Sequence, residues 1–166
     1  TTGSNNVALG RDALYSNTTA SNNTAVGYQA GYNNTTGYSN GALGRLSFYS
    51  NTTGFNNTAI AGEGALFGNT TGSYNTAVGN NALNNSTTAS NNTAAGYQAG
   101  YANTTGANNS YFGKEAGRPI TTGQQNTMLG YQAGNQGGTG VSYSTYVGEG
   151  TGYSSSGNYN TYIGHR

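Results

Sequence analysis

The sequence predicts an all-β fold: a parallel β-solenoid or β-roll of about ten 17-residue coils. Three observations predict it. The motif Asn-Thr-Ala-apolar-Gly recurs along the chain at a nearly fixed interval. Between the glycines stand short runs of Thr, Val, Tyr and Ile, which are typical of β-strands. Seventeen residues that include several glycines are also too few for the helix pairs of a helical repeat.

The period is measured on the glycine that closes the motif. Its intervals are 17 residues, apart from two of 18 and one of 16, and it falls at Gly10, Gly27, Gly44, Gly62, Gly79, Gly96, Gly113, Gly130, Gly148 and Gly164. The fourth copy has an extra residue, Ala61, inside the motif. A fixed, short period indicates one coil per repeat, stacked on its neighbours. Residues 1–166 therefore form a single repeat array, regular over 4–134 and irregular over 135–166.

The motif assigns a core column. We count its Asn as position one, and position four is then apolar in every copy. This predicts that position four forms the structural core, which consists of Leu9, Val26, Leu43, Ile60, Val78, Ala95, Phe112, Leu129, Val147 and Ile163. Positions three and eight are mostly Ala, small enough for close packing. Such a core is thin for each coil of 17 ordered residues, so the sequence predicts a homo-oligomer, a trimer by preference.

Polar residues also recur at fixed positions of the repeat. Asn occupies position one in nine of the ten copies, and stacked Asn side chains can hydrogen-bond from coil to coil. A Thr-Thr pair, such as Thr35-Thr36, recurs before a glycine and can form a similar ladder. Eight of the nine charged residues fall at positions six and seven, and Arg118 is the exception. We therefore expect a corner of each coil to face water just after the motif.

The composition argues against several classes of function. The net charge is +1 and charged residues make up 5% of the chain, so we expect no electrostatic binding to nucleic acid or to an anionic membrane. Cysteine is absent, and no apolar run reaches the length of a membrane span, so we expect no membrane insertion. The one histidine is His165, and the four carboxylates lie in separate repeats. We predict no enzyme activity, no catalytic residues, no cofactor and no metal site.

Tyrosine supplies the candidate surface contacts. The chain has 15 tyrosines, and the candidates recur at positions six and ten as Tyr28, Tyr32, Tyr97, Tyr101 and Tyr131. Such rings can stack on sugars or proteins, and they can equally form a structural ladder along the rod. Asn-X-Ser/Thr sequons, for example at Asn51 and Asn91, are dense as well. They indicate either a glycan-coated surface or ladder residues that create sequons by chance.

The unit at 23–37, NTAVGYQAGYNNTTG, resembles repeats of bacterial and phage tail-fibre-like proteins, those with a C-terminal intramolecular chaperone. Its core, Asn-Thr-Ala-Val-Gly-x-x-Ala, is also similar to the head repeat of YadA-like trimeric autotransporter adhesins. The resemblance covers about residues 4–134. It implies a trimer of parallel β-rolls that binds host matrix, and it brings no catalytic residue.

These observations favour a structural or adhesive segment of a homotrimeric fibre, attached to a surface or receptor. The expected location is extracellular, at the cell surface or on a virion. The expected partners are other copies of the chain and a host surface protein or glycan. Recognition should lie where the repeat breaks, at Ala61, at 118–120 and at 137–157. Two alternatives stay open: an ice-binding β-solenoid, because Thr ladders can order water, and a self-assembling extracellular filament subunit.

Overall fold

A computed structural model describes residues 2–135 and 138–166 of the chain. Ten short strands in sequence order form one parallel sheet, each strand paired with the next. The strands are β1 (Val7–Leu9), β2 (Thr24–Val26), β3 (Gly41–Arg45), β4 (Thr58–Glu63), β5 (Thr76–Val78), β6 (Thr93–Ala95), β7 (Ser110–Phe112), β8 (Thr127–Leu129), β9 (Thr145–Val147) and β10 (Thr161–Ile163). The fold is an all-β parallel solenoid of about nine turns, so the predicted parallel β-solenoid is confirmed.

The register follows the repeat. Ala25 of β2 lies beside Ala42 of β3, and Val26 lies beside Leu43, so residues seventeen apart occupy equivalent places on adjoining coils. β9 and β10 continue the same pairing, with Tyr146 beside Tyr162. Each coil therefore packs on the next through identical or similar residues. This requirement explains why successive repeats are so similar in sequence.

The extra residue of the fourth copy is absorbed in β4. The pairing of β3 with β4 shifts register after Leu43, so that Arg45 lies beside Glu63. Two residues of one strand then oppose one residue of its partner, as in a β-bulge. Ala61 is partly buried against the core at this point. The stack continues past the bulge, since Ile60 pairs with Val78 in the usual register.

The predicted core column at position four is wrong. These side chains point away from the coil interior, and the exposed fractions of Leu43, Ile60 and Val78 are 39%, 41% and 41%. Successive side chains of a strand point to opposite faces. Because position three points inward, positions two and four must point outward. The correction applies to the whole column: Leu9, Val26, Leu43, Ile60, Val78, Ala95, Phe112, Leu129, Val147 and Ile163.

The core consists of positions three, eight and nine instead. Position three supplies a column of alanines that ends in larger residues, position eight supplies more alanines, and position nine supplies Leu or Phe in some coils. The buried members are Ala25, Ala42, Ala59, Ala77, Ala94, Tyr111, Met128 and Tyr146; Ala30, Ala65, Ala82, Ala99, Ala116 and Ala133; and Phe48, Leu66 and Leu83. The space within a coil is narrow, which is why most of these side chains are methyl groups.

The side chains at positions three and nine of the repeat occupy the same part of the coil interior. Where position three is large, as at Tyr111 and Tyr146, position nine of the same coil is glycine, at Gly117 and Gly152. A Cβ added to Gly152 would lie 2.6 Å from Cε2 of Tyr146, and one added to Gly117 would collide with the Tyr111 ring. Gly117 also has a φ of 61°, which glycine adopts without strain. In most coils one bulky side chain therefore fills the interior, from either position. The coils of Ala25 and Ala94 have glycine at position nine, and side chains of adjoining coils, Leu14 and Tyr111, lie against Gly31 and Gly100.

Two buried columns of asparagine join the coils. Position one forms the first, and position twelve forms the second in most coils. Oδ1 of Asn23 accepts a hydrogen bond from the backbone N–H of Asn40, at 2.9 Å. Nδ2 of Asn23 donates to the Gly37 carbonyl at 2.9 Å, and Nδ2 of Asn34 donates to the same carbonyl at 2.8 Å. The Asn ladder predicted at position one is confirmed, and both ends of the position-one amide take part in it, as at Asn23.

The threonine pairs form only half of the expected ladder. The first Thr of each pair donates its hydroxyl to the next coil, as from Oγ1 of Thr35 to the Thr52 carbonyl at 3.0 Å. The second Thr, such as Thr36 or Thr53, is exposed. On this side of the coil, the first threonines therefore form an inner column that is hydrogen-bonded between coils. The second threonines form an outer column that is exposed.

We expect Asn57→Ala to lower the free energy of unfolding by about 1–3 kcal/mol, the cost of leaving a buried polar group without its partner. The variant removes the acceptor of the Asn75 N–H, at 2.9 Å, and a donor to the Gly72 carbonyl, at 2.9 Å. Thr53→Ala, on the exposed side, is the control. Urea unfolding followed by circular dichroism measures both, and equal losses would contradict the role of the Asn ladder.

The shared interior space predicts a double-mutant cycle. Tyr111→Ala should cost about 3–5 kcal/mol, because it leaves a cavity. Adding Gly117→Leu should restore at least half of that loss, since Leu66 and Leu83 fill the interior from the same position, at φ of 50° and 48°. Gly117→Leu alone should destabilise by overpacking. The test fails if the two substitutions have additive effects on the unfolding free energy.

Candidate functional site

The four carboxylates are dispersed along the rod, and each has a polar partner. The contacts are Arg11–Asp12, Arg45–Glu63, His165–Glu149 and Gln132–Glu115, and Glu115 also accepts a hydrogen bond from Asn135. Arg11–Asp12 and Arg45–Glu63 are ion pairs on the exposed corner, where such contacts stabilise little, and His165–Glu149 is one only when the imidazole is protonated. Among residues 2–135 and 138–166, no three His, Cys, Asp or Glu side chains are grouped so that they could hold a metal ion.

The five candidate tyrosines fall in two columns. Tyr28, Tyr97 and Tyr131 lie on the corner at position six and are exposed. The Arg11 guanidinium lies 5.7 Å from the centre of the Tyr28 ring, and the Lys114 ammonium lies 5.5 Å from that of Tyr131. Cations at this range are attracted to the ring face. These three rings keep accessible surface for a contact.

Tyr32 and Tyr101 lie in the second column, at position ten, and are half-buried. The Tyr32 ring is stacked between Tyr15 and Tyr49, with centroids 5.1 and 5.2 Å away. Desolvation, followed by the neighbouring phenols, raises the pKa of Tyr32 above its usual value. Both faces of this ring are covered, so Tyr32 acts as a ladder residue. On the coil before that of Tyr101, position ten is Asn84 instead of an aromatic residue. The column of stacked rings is therefore interrupted at that point.

The repeat breaks at Arg118 and Pro119 border a shallow cavity. It measures about 270 Å³ and is lined by Tyr101, Ala102, Arg118, Pro119 and Asn135. Ile120, the third residue of this stretch, is buried in the core, in the column that holds Asn in most coils. The expected recognition stretch 118–120 is therefore part surface and part interior. Of the stretch 137–157, Gly137 lies outside the described residues.

The outward side of the ten strands is a surface that the sequence analysis missed. We call it the sheet face and define it as the side chains at positions two and four of β1 to β10. Position two is Thr in seven strands and Val, Gly or Ser in the others, and position four is the apolar column. The alternation in Thr-Ala-Val could have revealed it, since Thr and Val must share a face. The two columns make a narrow, uncharged, ten-strand surface.

A second exposed column runs along the threonine side. It is the free Thr of each pair, and its members are Thr19, Thr36, Thr53, Thr71, Thr88, Thr105 and Thr122. Seven consecutive coils thus present the same side chain, about 4.8 Å apart, the spacing of paired strands. A regular row of hydroxyl and methyl groups of this kind can contact any extended, periodic partner.

The sequons divide by burial. Asn51, Asn69 and Asn103 are buried, and their amides donate to backbone carbonyls within the same corner. A glycan on such an amide would have no room in the folded coil. Asn91 and Asn108 are exposed at the opposite end of the loop, as are Asn22 and Asn56. The exposed sequons, to which Asn85 also belongs, are compatible with a modified, folded chain.

One deeply buried phenol lies in the core. Tyr111 is fully buried, and desolvation by this burial raises its pKa far above the usual value for tyrosine. The phenol therefore stays neutral in the folded state and serves packing. Because the folded pKa is raised, its contribution to stability is present below about pH 10, the ordinary value of the phenol, and falls as the pH rises above it.

Comparison with family models, curated protein sequences and solved structures finds no match to this chain. Among the residues that the structure describes, no helix is long and apolar enough to cross a membrane.

If the chain is produced in a glycosylating host, we expect N-glycans only at exposed sequons such as Asn91 and Asn108. Burial of the amides at Asn51 and Asn69 should leave these two unmodified in folded protein. Peptide mapping by mass spectrometry of protein recovered as folded rods measures site occupancy. A glycan at Asn51 or Asn69 in that material would contradict the buried corner.

Proposed function

We propose that the chain is a structural and adhesive segment of an extracellular or virion fibre, assembled as a homotrimer. The observation that supports it is the unbroken ten-strand sheet with like residues in register. Ten coils at about 4.8 Å give a rod of roughly 43 Å between the first and last strands. Each added repeat would lengthen such a rod by a fixed step, so the fold is suited to setting reach and stiffness.

The proposed adhesive role rests on the exposed corner. Tyr28, Tyr97 and Tyr131 offer exposed ring surface, and Tyr28 and Tyr131 each have a cation beside the ring, a combination suited to a host surface protein or a glycan. The dispersed, paired carboxylates fit a binding or structural role better than catalysis. The proposed location is outside the cell, at its surface or on a virion, where a fibre of this kind would act.

The experiment is a binding screen of the purified rods against immobilised glycans and extracellular matrix proteins. The unmodified chain should bind at least one of these surfaces. Replacing Tyr28, Tyr97 and Tyr131 with Ser should weaken binding at least tenfold, because each ring contact contributes about 0.5–1.5 kcal/mol. A chain with Thr19, Thr36 and Thr53 replaced by Ser is the matched control. Binding that is absent, or equal in the two variants, would overturn the adhesive role.

An ice-binding β-solenoid is a second candidate, favoured by the column of seven exposed threonines. Their regular spacing is of the kind that binding an ordered layer of water molecules would require. Thermal hysteresis of the purified protein measures this activity. Replacing Thr53, Thr71 and Thr88 with Lys should abolish it if this column contacts ice, since the long charged side chains would disrupt the row.

A further inference from the structure

At the cavity beside Arg118 the position-ten column is no longer closed by stacked rings. In the first four coils this column is a stack of aromatic rings, with neighbouring centroids 5.1 or 5.2 Å apart. The two neighbours of Tyr101 in the column are Asn84 and Arg118, which have no ring. The Tyr101 ring instead borders the cavity of about 270 Å³.

Arg118 is the charged residue that stands outside the corner columns. It is exposed, and none of the ion pairs in the described part of the chain includes it. Its backbone is held from two sides: its N–H donates to the Glu115 carbonyl at 3.2 Å, and its carbonyl accepts from the Ala102 N–H at 3.0 Å. Pro119 follows and restricts this backbone further. The guanidinium therefore projects from a fixed point and is available to a ligand.

The other walls of the cavity supply one ring, one amide and a small apolar surface. Tyr101 contributes the phenol ring and Asn135 the amide, while Ala102 and Pro119 contribute the apolar surface. Ala102 stands at position eleven, where the coil before it has the larger Asn85. The small side chain leaves room between the ring and the guanidinium.

These groups together match a sugar that carries a carboxylate. An aromatic ring stacks on the apolar face of a sugar ring. An amide both donates hydrogen bonds to hydroxyl groups and accepts them. A guanidinium binds a carboxylate through two parallel hydrogen bonds. Each of these three groups is present once in the cavity, at Tyr101, Asn135 and Arg118.

The charges around the cavity favour a ligand with one negative charge. Nδ2 of Asn135 donates to Oε2 of Glu115 at 3.2 Å, so a carboxylate lies behind the amide. One cation with an anion close by suits a carboxylate, and it disfavours a phosphate group, whose charge is roughly −1.5 to −2.

The size of the cavity favours a single sugar ring. Its volume of about 270 Å³ lies just below the roughly 300–1,000 Å³ of pockets that enclose drug-sized ligands. We propose that this cavity binds a hexuronic acid unit of a polysaccharide, with Arg118 on the carboxylate and Tyr101 against the ring. The inference rests on the proposed adhesive function and adds to it a second site, on a different side of the coil from the tyrosine corner.

The first test compares two oligosaccharides that differ in charge. Isothermal titration calorimetry of the full chain measures its affinity for trigalacturonate and for the matching neutral trisaccharide of galactose. The chain should bind trigalacturonate at least tenfold more tightly, because the charge-assisted hydrogen bonds of Arg118 need a carboxylate. Equal binding of the two sugars, or no binding of trigalacturonate, would overturn the proposal. Equal binding of an oligoglutamate, which has carboxylates and no sugar ring, would overturn it as well.

Variants of Arg118 locate the site. Arg118→Gln should weaken the binding of trigalacturonate at least tenfold. Arg118→Lys should weaken it by a smaller factor, since lysine keeps the charge and loses the planar fork of donors. Arg45→Gln removes another exposed arginine and is the matched control, with unchanged affinity. An affinity that falls equally in Arg45→Gln and Arg118→Gln would show a general effect of charge and refute the site.

A further variant separates the cavity from its charge. Ala102→Phe should fill the cavity while all charged residues stay, so the affinity for trigalacturonate should fall at least tenfold. Ala102 is half-buried at the surface, and the circular dichroism spectrum should keep its β-sheet form. Retained affinity would place the contact elsewhere and refute the proposal. The comparison of charged and neutral sugars uses the unmodified chain, so it decides the question even if a variant fails to fold.

The outcomes distinguish this inference from the proposed function. A chain that binds a matrix protein through Tyr28, Tyr97 and Tyr131 and binds the two trisaccharides equally would keep the adhesive corner and lose the acidic-sugar site. A chain that binds trigalacturonate through Arg118, with no loss of any binding when the three corner tyrosines are replaced, would keep the acidic-sugar site and lose the adhesive corner.

Discussion

The structure depends on buried asparagine amides that tie each coil to the next. Asn40 illustrates the arrangement: its Oδ1 accepts from the Asn57 N–H, and its Nδ2 donates to the Gly54 carbonyl, both at 2.9 Å. A buried amide left without partners costs about 1–3 kcal/mol, so a slipped register would be penalised at every coil. The ladder therefore fixes both the spacing of the coils and their alignment. A coil with so small an apolar interior could not achieve this by packing alone.

The ladder also explains residues that look arbitrary in the sequence. The carbonyl that receives two amides belongs to glycine in most coils, and a Cβ at Gly37 would lie 2.5 Å from Oδ1 of Asn34. Ile120 replaces an Asn of position twelve, and a second apolar residue, Val141, is buried in the same part of the stack. This corner can therefore be filled by apolar as well as by polar side chains, and the Oδ1 of Asn103, on the coil next to Ile120, is buried without a hydrogen-bond partner in the described part of the chain.

Hydrogen bonds inside the coils hold the solenoid together, so its outer surfaces can differ in composition. One side carries a row of threonines, one corner carries tyrosines and charges, and the sheet face carries the apolar column. The sheet face and the row of threonines are both long, continuous and uncharged, and the sheet face is the apolar one of the two. The tyrosine corner varies from coil to coil and is better suited to recognising a partner that differs from the chain itself.

The sequence by itself determined the period, the parallel stack, the Asn ladder and the exposed corner, because a 17-residue interval with like residues in register permits few other folds. It also indicated that Tyr28 and Tyr97 belong to a common column. The direction in which Ala25 and Val26 point was decided only by the tertiary structure. In a three-residue strand either residue could face inward, and the larger one was the natural expectation. Positions three and nine share the interior, so a large side chain is buried at position three only where position nine is glycine, as at Tyr111. In the other coils the methyl group of alanine is buried there, and the apolar column is turned outward.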